Sequence, residues 1–488
     1  MARIDEEYES RKTKLEHIVK LGLIPFPART ARDFLIHQAL EKYSQLEKNK
    51  TVITLAGRIK AIRAHGGSAF LNIEDESGQF QIFAKKDTLQ EIPFNNFIEI
   101  FDIGDFIECT GLLFLTKKGE KTLLINEYKI LAKALLPLPE KWHGLTDMEI
   151  RYRQRYLDLI SNPVVRDIFK KRAVIISAIR KYLDENGFIE VETPILQPIA
   201  GGANARPFVT HHNSLHADFY LRIAPELYLK KLLVGGLEKI YEISRCFRNE
   251  GVDRDHNPEF TQVEFYAAFW DYKKMMSFTE SLFHYILGQV NAGDELVYEN
   301  QKINFKQPFH KITFLEACKK FAKIDIANIN EEDLRDEARK KNIDIPSKYN
   351  KAKIIDEIFK ELVRPNLIQP TFLIDHPIEL SPLAKKTEKN PAFVERFQLI
   401  IAGKELCNAF SELNDPIDQE ERFKSQEKMR LAGDDEAQMI DDDFMTALKQ
   451  GMPPAAGIGI GIDRLTNLIT NTHNLKEVIL FPTLKQKI

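Results

Sequence analysis

Cysteine and tryptophan are scarce in this chain, with four and two copies in 488 residues. Cys109, Cys246, Cys318 and Cys407 lie at least 72 positions apart and form no CxxC pair. That spacing argues against a zinc ribbon and against a secreted disulfide framework. Net charge is also lacking, since 69 Lys plus Arg face 72 Asp plus Glu, a net of −3. The chain is therefore no polycation, and any nucleic-acid contact has to come from local patches. Residues 3–63 hold 13 basic against 8 acidic residues, but residues 1–140 balance at 20 each. No apolar run approaches the roughly 20 residues needed to span a bilayer. The opening MARIDEEYESRKTK is too charged and too acidic for a signal or transit peptide. A soluble cytoplasmic protein without membrane contact is the expectation. Tandem repeats and low-complexity tracts are missing too, which removes solenoids and propellers.

The familiar nucleotide cradles are equally absent. There is no GxxxxGK[ST] and no GxGxxG, which argues against P-loop and dinucleotide-binding chemistry. His211, His212, His216 and Asp218 have a spacing a metal could use. Without a matching cysteine or HExxH set they read as surface or hydrogen-bonding side chains. The acidic clusters Asp434-Asp435-Glu436 and Asp441–Asp443 read as a solvated face.

What the sequence does contain is a globular mixture, 43% hydrophobic and 29% charged, long enough for two to four domains. Residues 5–22 read as a charged helix stopped by Pro25-Phe26-Pro27. Strand-like runs follow at 51–63, 68–74, 79–84, 105–116 and 121–131, separated by Gly66-Gly67, Ser77-Gly78 and Lys118-Gly119. The stretch 87–101 reads as helical. Three strands, a helix and two strands is the order of an OB-fold barrel. This N-terminal unit is assigned to residues 1–136, with a stiff Pro137-Leu138-Pro139 opening a linker at 137–148. From 149 to 488 the pattern changes. Helices are expected at 149–160 and 163–186, the second entered through a capping Asn162 and a first-turn Pro163. Strands and helices then alternate without a short β–α–β rhythm, so a mostly antiparallel sheet with flanking helices is expected, an α+β domain. Residues 311–365, helical and highly charged, read as an insertion.

Three blocks resist a bland explanation. Gly187-Phe188-Ile189-Glu190-Val191-Glu192-Thr193-Pro194 is a helix end, a strand and a proline stop. Cys246-Phe247-Arg248-Asn249-Glu250-Gly251 leads through a polar turn to His256-Asn257-Pro258-Glu259-Phe260, and on to Glu264. A surface hairpin explains the turn, but not the cluster of arginine, glutamates, histidine and phenylalanine around it. In Gly457-Ile458-Gly459-Ile460-Gly461-Ile462-Asp463-Arg464, strand alternation puts isoleucine on one face and bare backbone on the other. Something flat can lie on the bare face, with Arg464 at the start of a helix in reach of it.

In order and spacing these blocks resemble motifs 1, 2 and 3 of the class II aminoacyl-tRNA synthetases. Gly201-Gly202-Ala203-Asn204, Ala224-Pro225-Glu226-Leu227 and Asn408-Ala409-Phe410-Ser411-Glu412-Leu413-Asn414-Asp415 narrow the resemblance to the lysyl-tRNA synthetases, bacterial type, over essentially the whole chain. The resemblance implies activation of L-lysine with ATP to an adenylate and pyrophosphate, then transfer to the 3′ end of tRNA(Lys), by a homodimer. Arg248 and Arg464 are then the catalytic pair, Arg248 bridging the substrate carboxylate and the α-phosphate and Arg464 holding the γ-phosphate. Phe260 stacks on adenine, Glu250, His256 and Asn257 place the nucleotide, and Glu405 holds Mg2+. Glu412, Glu264 and Tyr266 receive the substrate ε-ammonium. Glu226 and the Gly202 backbone receive the α-amino group, while Asn408 and Phe410 shape the pocket. Phe70, Gln81 and Glu127 match the family's anticodon readers, and single-stranded bases are held by stacking and edge hydrogen bonds that need no net positive charge. For Phe70 a place in the barrel core competes with that role.

One position departs from the family pattern. A second acidic magnesium ligand is expected seven residues before Glu405, where this chain has Gln398. The two positions have opposite parity, so a bulge or turn must lie between them for both to face one metal. Two other readings stay open at this point. An aspartyl- or asparaginyl-type synthetase shares the architecture but needs cations for its substrate side chain, where this chain offers Glu264 and Glu412. A non-catalytic RNA-binding relative has no use for intact Arg248, Glu250, Phe260 and Arg464.

Overall fold

The computed structural model describes residues 2–139, 145–347, 349–431 and 437–485. The chain divides into two compact units, Met1–Gly144 and Leu145–Ile488. Residues 140–144 of the expected linker and the cluster Asp434–Glu436 lie outside the described residues.

The first unit opens with helix α1 (Ala2–Lys20), α2 (Ile36–Glu41) and α3 (Tyr43–Lys48). Strands β1 (Val52–His65), β2 (Ser68–Glu74) and β3 (Gln79–Lys85) follow, then α4 (Lys86–Leu89), α5 (Glu91–Ile100), β4 (Phe106–Leu115) and β5 (Lys121–Ala132). Among the described residues these five strands close into a barrel in the order β1-β2-β3-β5-β4, the expected OB arrangement. Alternation decides the faces: Ala69, Leu71 and Ile73 point into the core, and Phe70 and Asn72 point out. The helical stretch is split, because Gln90 adopts a positive φ of 68° between α4 and α5.

The second unit starts with α6 (Met148–Arg153), α7 (Arg155–Ser161) and α8 (Pro163–Glu185). The single helix expected at 149–160 is broken at Gln154. Asn162 does precede a first-turn Pro163, but its side chain donates to Asp158 Oδ1 at 2.6 Å and does not cap α8. Next come β6 (Ile189–Glu190), β7 (Leu196–Gln197), β8 (Val209–His212), β9 (Ala217–Leu221), α9 (Glu226–Val234), β10 (Lys239–Phe247) and β11 (Glu259–Ala268). They are followed by α10 (Tyr272–Gln289), β12 (Glu295–Tyr298), β13 (Gln301–Asn304) and β14 (His310–Thr313). Helices α11 (Phe314–Ala317), α12 (Glu331–Lys340) and α13 (Lys351–Ile358) form the insertion. The insertion therefore begins later than expected, since Lys311–Thr313 belongs to an edge strand of the main sheet. Its helices are amphipathic despite their charge, and Leu334, Ile354 and Phe359 bury against Leu373 and Ile400. The chain closes with β15 (Thr371–Pro377), β16 (Phe393–Ile401), β17 (Lys404–Ser411), α14 (Pro416–Leu431), α15 (Asp442–Lys449), β18 (Ala455–Gly461) and α16 (Ile462–Thr470).

Among the described residues, eight strands make one sheet in the order β14-β15-β16-β17-β18-β11-β10-β6. Only its two outermost pairings are parallel; every other is antiparallel. One face packs on α8, α10 and α16 in the main core, where Ile458, Ile460 and Ile462 bury completely or nearly so. The other face carries the glycines and the polar side chains. Asp441 does not join a solvated face: it is buried and caps α15, accepting from the Phe444 backbone N–H at 2.8 Å. His211 of β8 pairs with Asp218 of β9 at 2.7 Å, both exposed. Among the described residues no group of three or more His, Cys, Asp or Glu is arranged to hold a metal. No helix among them is long and apolar enough to cross a membrane.

Candidate active site

The sheet places its functional side chains by register. Glu264, Gly459, Asn408 and Gln398 are successive partners across β11, β18, β17 and β16. Tyr266, Gly457, Phe410 and Arg396 form the next row. Side chains in such rows share one face, so both rows look into a cavity of about 340 Å³ above the glycines. Glycine is required at 457, where a Cβ would stand 2.3 Å from both Glu412 Oε1 and the Tyr266 ring. A bulge at Leu406 shifts the register of β17 between its pairings to Leu399 and Ile400. That extra residue turns Glu405 to the same face as Asn408 and Gln398, as their parity requires.

One end of the cavity is acidic. Glu226, Glu264 and Glu412 are each buried. Glu264 accepts from Gln262 Nε2 at 2.6 Å and from the Tyr266 hydroxyl at 2.9 Å. Glu412 Oε2 lies 2.6 Å from Lys230 Nζ, and its Oε1 has no hydrogen-bond partner among the described residues. The same ammonium donates to Glu226 Oε1 at 2.7 Å. Loss of solvent pushes the Glu264 carboxyl well above its ordinary range, and the neighbouring Glu226 adds to the shift. Desolvation likewise raises Glu226, against the pull of Lys230, and pushes Glu412 up to about 8. Burial alone would lower the Lys230 ammonium, but Glu226 and Glu412 outweigh it and raise its pKa. Gly202, with φ at +87°, brings its backbone against Glu226, where a Cβ would stand 3.0 Å from the glutamate's own.

The other end presents guanidinium groups. Arg248 follows β10 and lies over the Phe260 ring at 4.9 Å, with Nε buried and unpartnered among the described residues. Arg464, in the first turn of α16, donates to the Glu405 backbone oxygen at 3.1 Å. The neighbouring Asp463 accepts from the Thr261 backbone N–H at 2.9 Å and pairs with Arg172 of α8 at 2.6 Å. Between β10 and β11, Glu250 and His256 are exposed, and Asp253 accepts from His256 at 2.9 Å. Asn257 is buried, its Oδ1 without a partner among the described residues. Unpartnered buried donors and acceptors at this end mark positions a ligand has to satisfy.

Gly202, Glu226, Arg248, Glu250, His256, Asn257, Phe260, Glu264, Tyr266, Glu405, Asn408, Phe410 and Arg464 all line this one cavity. Glu412 sits just behind the lining, over Gly457. Gln398 lies behind Glu405: its amide donates to Glu405 Oε2 at 2.9 Å, and its oxygen meets His376 Nε2 at 3.1 Å. Sequence reasoning missed Lys230, Arg396, Gln262 and the Arg172–Asp463 pair. For Lys230 a signal existed, because Glu226 and Lys230 stand i,i+4 on one helix, the favourable orientation for a pair.

In the barrel, Phe70 is an outward side chain and not a core residue, stacked on Phe83 with ring centroids 4.4 Å apart. Gln81 faces outward on the adjacent strand, where it accepts from Thr122 Oγ1 at 2.8 Å. Glu127 is exposed on β5, next in the barrel. Phe114, 5.9 Å from Phe83, extends the aromatic strip, and neither of these two rings was anticipated.

Comparison with known proteins identifies the family. Residues 147–485 match the family model of class II tRNA synthetases (D, K and N), and residues 53–131 match that of the OB-fold nucleic acid binding domain. The chain is 49% identical over 486 residues to a lysine–tRNA ligase of Thermoanaerobacter pseudethanolicus, covering 99% of this chain and 97% of that one. It is 49% identical over 486 residues to a lysine–tRNA ligase of Carboxydothermus hydrogenoformans, covering 99% of both. A lysine–tRNA ligase of Syntrophomonas wolfei is 48% identical over 485 residues, covering 99% of this chain and 98% of its own.

Proposed function

The chain belongs to the class II tRNA synthetases, as a lysine–tRNA ligase, and on that premise we propose how its residues divide the work. The reaction has two steps. A lysine carboxylate oxygen attacks the α-phosphorus of ATP and expels pyrophosphate. A terminal ribose hydroxyl of tRNA(Lys) then attacks the acyl carbon and releases AMP. Neither step needs a protein nucleophile; both depend on positioning and on neutralising charge that develops on oxygen.

Arg248 bridges the lysine carboxylate and the α-phosphate, and Arg464 takes the γ-phosphate, each with a guanidinium fork that suits two oxyanions. Phe260 stacks on adenine, with Glu250, His256 and Asn257 placing the nucleotide. Glu405 holds the Mg2+ that travels with ATP, since magnesium takes one or two carboxylates together with substrate phosphates. The cation supplies charge neutralisation on the phosphates. Glu405, on the cavity face beside Arg464 with one oxygen engaged by Gln398, fits that limited demand. At the acidic end Glu412, Glu264 and Tyr266 receive the ε-ammonium, Glu226 and the Gly202 backbone the α-amino group, and Asn408 and Phe410 close the sides.

The observation that carries this division is the polarity of the cavity. Three buried carboxylates, only partly offset by Lys230 and Arg396, stand at one end, and Arg248 and Arg464 stand at the other, which matches a diamine bearing a carboxylate next to a triphosphate. An aspartate or asparagine side chain would meet acids where it needs donors. Amino-acid-dependent ATP–pyrophosphate exchange with all twenty amino acids tests it: lysine alone should support exchange. Exchange with aspartate or asparagine would overturn the assignment.

The barrel face of Phe70, Gln81 and Glu127 reads the tRNA(Lys) anticodon, by stacking and edge contacts. The enzyme works in the cytoplasm as a homodimer, joined through the α8–β6 segment. Support for the last point is the two-residue edge strand β6, whose Ile189 is 54% exposed, beside exposed Ile195 and Leu196.

A further inference from the structure

Lys230 is a fully buried ammonium at the acidic end of the cavity that none of the roles above uses. Its neighbour Lys231 turns to the other side of α9, towards Asp441 and Asp443. Lys230 Nζ ties together two carboxylates from different elements, Glu226 four residues before it and Glu412 just after β17, at 2.7 and 2.6 Å. The Phe410 ring lies 5.3 Å beneath the same ammonium. Glu412 Oε1, which Lys230 does not engage, points over the bare backbone of Gly457.

We propose that Lys230 is a positioning residue for lysine recognition. Its ammonium fixes Glu226 and Glu412 relative to each other, takes one oxygen of each, and draws both towards the ionised form that an incoming ammonium requires. The proposal rests on the reading of Glu226 and Glu412 as receivers of the two substrate amines. Among the described residues, the ionisable groups bearing on this pair are Glu264 and Tyr266 of β11 and Arg396 of β16, with Arg248 and Glu242 acting through Glu264. Glu226 and Glu412 repel one another's charge, and desolvation disfavours both charges further. Without Lys230 the two carboxyls keep their protons to higher pH and offer a substrate ammonium only neutral acceptors.

The test is the lysine KM and kcat of pyrophosphate exchange from pH 6.5 to 9 for the wild type, Lys230→Met and Lys230→Arg. Losing one member of a buried ion network should raise the KM of Lys230→Met about a hundredfold at pH 7.5, with kcat within about fivefold. The deficit should shrink as pH rises, its KM profile displaced by about one pH unit towards alkali relative to wild type. Lys230→Arg keeps a cation and should keep the wild-type position of the profile. A KM raised by the same factor at every pH, or an arginine variant displaced like the methionine one, would reduce Lys230 to packing and overturn the proposal. If Lys230→Met does not fold, the profile of Lys230→Arg decides alone: undisplaced supports the proposal and displaced overturns it. Glu412→Gln separates the premise from the proposal. Near-normal lysine KM in that variant removes the pocket assignment itself, whatever the Lys230 variants do.

Discussion

Gln398 holds Glu405 from behind: its amide nitrogen donates to Glu405 Oε2 at 2.9 Å across the β16–β17 hairpin. A carboxylate can only accept, so this contact fixes the amide with its oxygen towards His376 Nε2, 3.1 Å away. His376 is buried, and desolvation together with the neighbouring Arg396 keeps its pKa well below the usual histidine value. It is therefore neutral and donates from Nε2. Gln398 thus shows an N–H, not an oxygen, to the side of the cavity where Glu405 would hold magnesium, which makes direct ligation by its carbonyl the poorer role.

Gln398→Glu replaces that donor with a second carboxylate beside the first. Two acids repel each other without metal and together attract a divalent cation with it. The free Mg2+ at half-maximal exchange should fall by about tenfold, corresponding to about 1.4 kcal/mol. Titration calorimetry of Mg2+ into enzyme with a non-hydrolysable ATP analogue should move in parallel. Superimposable curves for the two forms would strip position 398 of any part in metal binding.

The sequence made the architecture legible wherever a pattern had one physical cause. The barrel strands alternate because one face is core, and Gly457, Gly459 and Gly461 alternate with isoleucine because one face of β18 floors a cavity. It failed where tertiary contact decides. The i,i+4 spacing to Glu226 marks Lys230 as a pairing candidate, but only the fold brings up Glu412 to seal it between two glutamates, while Lys231 pairs with Asp443 at the surface. The break at Gln154 carries no glycine or proline to announce it, whereas Pro93, in the first turn of α5, was a signal for the break at Gln90. Phe70 reads equally well as core or surface until its strand register is known.

Glu412→Gln tests the acidic end directly. Removing one charge of a buried pair costs about 3–5 kcal/mol, so lysine activation should drop by about two to three orders of magnitude. Lysine kinetics close to wild type would take Glu412 out of the pocket.

Deleting residues 1–140 should leave pyrophosphate exchange largely intact and sharply reduce tRNA charging, because each unit has its own hydrophobic core. Within the intact chain, Phe70→Ala and Phe83→Ala should each weaken tRNA binding by about 1–3 kcal/mol if a base stacks there, with exchange unchanged. Equal loss of exchange and charging on deletion would mean that the barrel is needed for folding.

Light scattering of the pure protein should give a dimer near twice 56.4 kDa. Ile189→Asp should weaken it, because a charge would then be buried without a partner in the interface. A fully active monomer would exclude the α8–β6 segment as an obligatory interface.

The buried acids also set a pH dependence whose sign is fixed. Glu412 is pushed up to about 8 by desolvation, above the ordinary glutamate value of about 4.3, and Glu226 and Glu264 move the same way. Between the ordinary value and 8, the folded ligand-free protein retains a proton that the unfolded chain has released. Its stability should therefore decline as pH rises through that window. Bound lysine reverses the preference, because its ammonium favours the ionised carboxylates. Binding should release protons below pH 8, and the rise in Tm at saturating lysine should be larger at pH 8 than at pH 6.5. Calorimetry in phosphate and in Tris, which differ widely in ionisation enthalpy, measures the release directly. Equal heats in the two buffers, with a lysine-induced Tm shift that ignores pH, would mean that these carboxyls are already ionised in the free enzyme.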